Sequence, residues 1–591
     1  MKIFCRNNLD KAVSPYLRQH KDNPVWWQEW SDKAVAYARE TGKFIFVSVG
    51  YATCHWCHVM AKEAFSDPEA AAYLNKHFVS IKVDREMRPD IDHFLMSYLV
   101  AIQGQGGWPL NAFLTPDLRP VYALTYAPLR SRQGLPDFLE ILKQIKKFHD
   151  QNTEPVEAFS VPAPVSVPKS ENEVSQRLQQ SFDPEYGGFG MGQKFPPFCT
   201  LLFMLSYGGV VQDTSLLHMC TLTLDRMAQG GLHDHLQGGF FRYCVDREWT
   251  IPHFEKMLYD QAMALWVYSL AFRVLNRPDY GKIAEKILRC LDETFAENGL
   301  YLSALDADTD HEEGATYLWG EKELRKLLTP EEFERFRTVY QISAGGNFEG
   351  RNHLLKKGKV SVQDIEEKLL CERKKRKQPE TDKKLITSQN ALAGIALIHA
   401  YRFLGRRDCL ERSGLIARQL MKRHIRKGRL SHSSCGGALQ REEFLQDVAG
   451  LLLLLTYLHE EDGVYGNEIR IFEKKLRGFK REDGWLETRQ NDFGEIPAET
   501  IDQPLPSSVS MAELAQVRVG ILESAGIPPG NFKEPHWNDF YNYAVLIRNG
   551  YFHVLTTPER LPWQTLPVLS IQLKGKKFLD CYRGACRTTL L

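Results

Sequence analysis

The chain has 591 residues, 43% hydrophobic and 25% charged, with a formal net charge of +1. Such a length exceeds one ordinary core, so two or three soluble globular domains are expected. The near-neutral balance provides no global field for nucleic acid or acidic lipid, and no run of roughly 18 uncharged apolar residues is present to span a bilayer. Residues 1–8 lack the apolar core and cleavage site of a secretory signal, so the expectation is a cytoplasmic protein with no nucleic-acid or membrane partner. Twelve cysteines are sparse enough to be mostly reduced thiols packed as small hydrophobes; only Cys54/Cys57 and Cys581/Cys586 are close pairs.

In chain order, residues 25–42 have helical apolar spacing (Trp26, Trp27, Trp30, Ala34, Val35, Ala38), with Gly42 as the stop. Phe44 to Val49 reads as a buried strand, and a turn follows into Cys54-His55-Trp56-Cys57. Residues 58–74 read as one helix and Phe78 to Asp84 as a second strand. A strand pair flanks the Pro116-Asp117 turn, and a closing amphipathic helix covers 135–148. Helices alternating with strands give an α/β layer over residues 1–150. Residues 151–170, carrying Pro155, Pro162, Pro164 and Pro168, read as an extended linker.

From 171 to 525 strand signals nearly vanish. Amphipathic helices recur between glycine-centred turns at Gly187, Gly238, Gly299, Gly428 and Gly484. Spacings of about 50–60 residues suit two-helix hairpins and suggest a closed ring of about six, an all-α (α/α)6 toroid, with an open solenoid as the alternative. The long gap between Gly299 and Gly428 would hold two hairpins, divided near Gly345-Gly346. The run Arg373 to Lys377 reads as a solvated helix end. Residues 526–591 form a small strand-containing appendage.

A Cys-x-x-Cys placed after a buried strand and opening a helix is a moderately specific thioredoxin-like signal. The Cys54 thiolate would face unpaired backbone N–H groups and the positive end of the helix dipole, which lowers a thiol pKa. Cys57, one turn on, is placed to resolve a mixed disulfide, and a protonated His55 would add to thiolate stabilisation. Pro109, in Gly106-Gly107-Trp108-Pro109, is the candidate for a cis-proline facing the dithiol. Three other readings compete. Cys54-His55-Trp56-Cys57-His58 matches a c-type haem attachment string, but that chemistry requires export. Zinc binding lacks a second ligand pair of usual spacing. In the third, the cysteines merely pack. No metal or cofactor is assigned.

Several long strings resemble a known family. They include Ser14-Pro15-Tyr16-Leu17, Asn23-Pro24-Val25, Cys54-His55-Trp56-Cys57-His58-Val59-Met60, Val83-Asp84-Arg85-Glu86 and Gly104-Gln105-Gly106-Gly107-Trp108-Pro109. In the helical part they include Lys194-Phe195-Pro196, Asp234-His235-Leu236, Gly238-Gly239-Phe240 and Pro252-His253-Phe254-Glu255-Lys256-Met257-Leu258-Tyr259-Asp260-Gln261. On these the chain is similar to the spermatogenesis-associated protein 20-like family. The resemblance implies a thioredoxin-like domain fused to a six-hairpin barrel, and implies little about activity. Gln237, Ser388-Gln389-Asn390-Ala391 and Pro506-Ser507-Ser508-Val509-Ser510 depart from the family's usual strings, in segments expected to line the barrel mouth.

Residues 233–261 are unusually polar for this helical region. On a helix starting near Pro252, Lys256 and Asp260 would share a face, as would Glu255 and Tyr259. With His235, Asp246, His253, Asp306 and Asp308 these are the funnel candidates. A glycosidase needs two carboxylates, from Asp246 or Glu255 with Asp306 or Asp308; an epimerase needs histidine bases such as His235 and His253. Equally, the set could be a satisfied buried network. The leading expectation is thiol–disulfide exchange on a disulfide-bearing protein or small-molecule thiol. The alternatives are a carbohydrate-active isomerase or hydrolase with a saccharide ligand, and a non-enzymatic binding scaffold.

Overall fold

A computed structural model of the chain describes residues 4–131, 136–151, 155–161, 168, 170–482, 484–489, 492–524 and 538–588. Near the N-terminus β1 (Gln28–Glu29), β2 (Phe44–Gly50), β3 (Phe78–Asp84), β4 (Leu110–Leu114) and β5 (Pro120–Leu124) form one sheet in the order β1-β3-β2-β4-β5. β3 is parallel to β1 and β2, whereas β4 and β5 run antiparallel. β2, β3 and β4 are buried along their whole length, which explains their continuous apolar sequence. Trp27, Phe46, Phe65, Phe113 and Phe138 pack edge-to-face or tilted on one side of this sheet.

The helix expected over 58–74 is two helices, α1 (His55–Lys62) and Pro68–His77. Asp67 caps the second through the Ala70 N–H, and Pro68 fits its first turn, so the chain restarts there. The closing helix is Phe138–Gln151; Leu135 lies outside the described residues. Of the linker 151–170, residues 152–154, 162–167 and 169 lie outside them too, Pro162 and Pro164 included. Phe159 and Val161 pack on this domain, Phe159 edge-on to Phe94 at 5.7 Å.

The rest is a closed toroid. Its inner helices are α2 (Phe198–Val211), α3 (Leu258–Val274), α4 (Thr387–Leu404), α5 (Leu445–Asp462), α6 (Ser508–Ser524) and α7 (Asp539–Arg548). Each packs on the next, and α7 returns to α2. Inner helices are surrounded, so Leu258 to Ala271 of α3 and Leu451 to Leu455 of α5 are buried without interruption. Outer helices such as Pro278–Cys290 and Gly466–Arg477 bury only one stripe. Several outer helices end in tight hairpins: Asn298-Gly299 and Lys427-Gly428 have positive φ at both turn residues, as a two-residue β-turn requires.

Two expectations are corrected. The segment between Gly299 and Gly428 contains one hairpin, α4 with Arg407–His424, not two. Before it, Glu321–Leu327, Pro330–Val339 and Gln363–Lys374 make a satellite with its own core of Trp319, Phe336, Tyr340 and Leu369. The missing sixth inner helix is α7, which the sequence boundary assigns to the appendage. Its Phe540, Tyr543, Leu546 and Ile547 belong to the toroid core. The boundary at 525 itself lies outside the described residues.

The inner helices run parallel, so the toroid has a mouth at their N-terminal ends and a floor at their C-terminal ends. The thioredoxin-like domain covers the mouth. A four-stranded sheet within 553–587 covers the floor, where Glu460 and Glu461 engage Gln572, Trp563 and Arg560. Cys581 and Cys586 are cross-strand partners in that sheet and form a disulfide. Among the described residues no helix is long and apolar enough to cross a membrane.

Candidate active site

β2 ends at Gly50, the chain turns, and Cys54 becomes the N-cap of α1, its Sγ accepting the Cys57 N–H at 3.2 Å. The two cysteines are joined as a disulfide with Cα atoms 5.2 Å apart. The Trp108–Pro109 peptide is cis. Pairing of Val49 with Leu110 brings Pro109 level with Gly50, at the dithiol end of the sheet. Among the described residues no cluster of three or more His, Cys, Asp or Glu is placed to hold a metal ion.

The barrel mouth holds this loop by its side chains. Tyr51 Oη and Thr53 Oγ1 donate to the two oxygens of Glu255, at 3.1 and 2.9 Å. His55 Nδ1 lies 3.1 Å from Asp308 Oδ1, and His58 Nδ1 lies 3.5 Å from Asp308 Oδ2. His58 Nε2 meets the Ala52 carbonyl at 2.9 Å, so both its nitrogens face acceptors. Burial opposes the charged ring, but Asp308 and Asp306 outweigh it and raise the His58 pKa. Burial likewise opposes the Asp308 carboxylate, yet hydrogen bonds from His55 and His58 hold its pKa well below the ordinary value. Asp306 accepts the Asp308 N–H at 3.1 Å, but burial outweighs this and pushes it up to about 6.

One expectation changes. Cys54 is only 4% exposed and Cys57 1%, deeper than the open thiol the sequence suggests, because the barrel mouth packs over the loop. The flanking Trp56 remains 46% exposed.

The funnel candidates divide into two groups. Residues 252–257 are extended rather than helical; Lys256–Met257 pairs with Ala304–Leu305, and α3 starts only at Leu258. Alternation therefore replaces the four-residue spacing. His253 and Glu255 face the dithiol domain, whereas Phe254 and Lys256 face away, beside Phe241 and Tyr317. Lys256 is sealed in an ion pair with Asp234 at 2.7 Å, which Arg373 shares. His235 bonds the Gly230 carbonyl and packs on Tyr340; burial lowers its pKa to about 3. Asp246 accepts from Glu248, Thr250 and Ile251 and fixes a local turn. These three are not funnel residues.

Asp306 and Asp308 do come to the dithiol, again two apart on an extended segment. His253 joins them through Glu313 Oε1 at 2.6 Å. Glu313 is the cross-strand partner of Asp308 in the hairpin of residues 308–313. Beneath, Arg242 lies 3.3 Å from Asp260 and 3.9 Å from Glu255, over the Tyr259 ring. Burial raises Asp260 to about 7.

Sequence reasoning missed most of the junction. Lys384, fully buried, reaches Asp84, Glu86 and Asp382 at 2.7, 2.9 and 3.1 Å. His432 bridges Asp447 and the Glu86 carbonyl, both at 2.7 Å, and His93 meets Glu499 at 2.9 Å. The one available signal was the polar string Val83-Asp84-Arg85-Glu86 ending a buried strand. A row of rings also crosses the junction past the dithiol: Phe195–Tyr243 (4.6 Å between centroids), Tyr243–His253 (5.3 Å), His253–His55 (6.2 Å), His55–Trp56 (5.7 Å) and Trp56–Tyr126 (5.1 Å).

Residues 6–162 match the family model Thioredox_DsbH, described as a protein of unknown function, DUF255. Spermatogenesis-associated protein 20 of Homo sapiens is 34% identical over 531 residues, covering 77% of this chain and 67% of that one. Uncharacterized protein B0495.5 of Caenorhabditis elegans is 34% identical over 498 residues, covering 74% and 68%. Among solved structures, a D-mannose isomerase aligns at a TM-score of 0.40 and 12% identity over 60% of this chain and 83% of its own. A family 76 glycoside hydrolase from a bovine Bacteroides thetaiotaomicron strain aligns at 0.37 and 6%, over 74% and 83%. A thioredoxin-like N-terminal domain, a helical toroid and relatives matched across both parts make this chain a member of the spermatogenesis-associated protein 20 family.

Proposed function

We propose that the chain is a cytosolic thiol–disulfide oxidoreductase in which Cys54 attacks, Cys57 resolves and the barrel mouth contributes substrate recognition. The observation that carries this reading is the Cys54 Sγ at the N-cap of α1, already accepting one backbone N–H. Asp308 and Asp306 raise the pKa of His58, which lies in the same helix, and its charged form would add a cation there. Both features favour thiolate over thiol. Substrate recognition falls to the row of rings from Phe195 to Tyr126, of which Phe195 at one end is 43% exposed and Trp56, beside the other end, 46%. The partner is a disulfide-bearing protein or a small-molecule disulfide able to enter beside Trp56.

The expected outcome is reduction of insulin disulfides by the wild type in the presence of a dithiol reductant, abolished in Cys54→Ser. Cys57→Ser should accumulate mixed disulfides identifiable by mass spectrometry. Equal turnover in wild type and both variants would reject this function.

A second reading, saccharide recognition at the same mouth, is favoured by the Phe195–Tyr243 stack at its rim. It concerns binding rather than hydrolysis, since Glu255 commits both oxygens to Tyr51 and Thr53. Thermal stabilisation by a mono- or disaccharide, lost in Tyr243→Ala, is its test.

A further inference from the structure

Beneath the dithiol lies a polar atom with no partner. Tyr16 is fully buried in the short helix Pro15–Gln19, and its hydroxyl has no hydrogen-bond partner. Buried hydroxyls are almost always satisfied, so an orphan asks for an explanation. The geometry at Gly50 supplies one. A methyl group built there would overlap the Tyr16 hydroxyl oxygen and come within 2.7 Å of Cys57 Sγ. The hydroxyl and the inner sulfur therefore converge on the one space that glycine leaves empty.

The helix bearing Tyr16 is pinned. Ser14 caps it through the Leu17 N–H and also donates to Asp84 at 2.5 Å, inside the Lys384 cluster. Burial first, and Asp84 second, raise the Tyr16 pKa well above its ordinary value, so the hydroxyl remains a donor. The charged and titratable groups around it are His20 next to its helix and Lys82 and Asp84 on β3. The His20 ring lies 5.0 Å from the Tyr16 ring, and the Lys82 Nζ 5.2 Å. None of these is hydrogen-bonded to the hydroxyl.

Resting on the exchange function proposed above, we propose that Tyr16 is the hydrogen-bond donor to Cys57 in the reduced enzyme. In the disulfide state Cys57 Sγ carries no charge and the donor stands idle. When the mixed disulfide Cys54–S–S–R is present, Cys57 is a thiol buried at 1% exposure, where an anion is costly. The Tyr16 O–H stabilises the Cys57 thiolate as it forms. Cys57, its proton released to solvent, then bonds through its sulfur to the Cys54 sulfur, the bond between the Cys54 sulfur and the R sulfur breaks, and R–S⁻ leaves. A small thiol reductant regenerates the dithiol. Tyr16 loses and gains no proton in the cycle.

The test uses Tyr16→Phe in the full chain and 5,5′-dithiobis(2-nitrobenzoate) as the disulfide. The pre-reduced enzyme should release two nitrothiobenzoate ions, the first on attack by Cys54 and the second on resolution by Cys57. Tyr16→Phe should leave the first phase unchanged and slow the second at least tenfold near pH 7, converging on wild type as pH rises past the Cys57 pKa. In parallel, the Cys57 13Cβ titration of the reduced protein should move to higher pH in the variant. 3,5-Difluorotyrosine at position 16, a stronger donor of almost unchanged shape, should move it lower. A second phase within twofold of wild type and an unmoved Cys57 titration overturn the proposal. A wild type lacking the first phase overturns the exchange function instead, and the Cys57 titration still decides the role of Tyr16.

Discussion

Gly50 is the residue on which the dithiol geometry turns most sharply. Its neighbours on the empty side are a tyrosine hydroxyl and the inner sulfur, both immobilised by burial, so neither can yield to a Cβ atom. Gly50→Ala is expected to destabilise the protein by about 1–3 kcal/mol, the range for overpacking a dense core. It should also displace α1, read as a lower unfolding midpoint together with slower reaction of the reduced dithiol. An unchanged midpoint would show that the space is softer than it looks. Cys54, Cys57 and Pro109 were legible in the sequence because strand, turn and helix around them are local. Asp308 was legible as an acid but not as the partner of His55 and His58, a contact spanning some 250 residues. Nothing in the spacing of Lys384 announces that three carboxylates from two domains surround it.

Between residues and molecule stand the extended segments that aim the mouth residues. The polar string at 252–261 invites a helical reading because its charges fall four apart. The three-stranded pairing of residues 256–257, 304–305 and 381–382 keeps its first half extended instead. Tertiary pairing overrode local spacing, as it commonly does in short segments. Three histidines clamp the junction these segments form: His58 on Asp308 and the Ala52 carbonyl, His93 on Glu499 and the Pro497 carbonyl, and His432 on Asp447 and the Glu86 carbonyl. Burial opposes each charge, yet the acceptors raise all three pKa values above 6.5. A group whose pKa is higher folded than unfolded gives its full stabilisation below pH 6.5 and loses it as pH climbs through the folded value. The carboxylates Asp308 and Glu499 have lowered values, so their contributions are present above about 4.5 and fade in acid. Docking should therefore be firmest between roughly pH 4.5 and 6.5. Amide protection of residues 51–60, corrected for intrinsic exchange, should fall several-fold between pH 6 and 8.5, and less so in Asp308→Asn. A flat profile would remove the histidines from the clamp.

For the whole molecule, the toroid is held by a ring of parallel inner helices whose first and last members touch. The repeat was legible from glycine-centred turns, and closure was expected. The register of the ring was not, because the satellite of three short helices imitates a hairpin and α7, only ten residues long, was assigned to the appendage. Leu546→Ala, deep in the α7 contact with the core, should cost about 2–5 kcal/mol. A chain ending at residue 524 should lose cooperative unfolding altogether, judged by calorimetry; a sharp transition in that truncation would mean that α7 is dispensable.

The return of α7 to α2 also has a consequence for synthesis. A polypeptide emerging from the ribosome makes α2 more than 300 residues before the helix that must lie against it. Until α7 has been made, the flank of α2 that it will occupy stays uncovered, its apolar side chains open to whatever is nearby. The newborn protein is thus a horseshoe that only α7 can shut, and chaperone dependence should concentrate in the interval before that helix emerges.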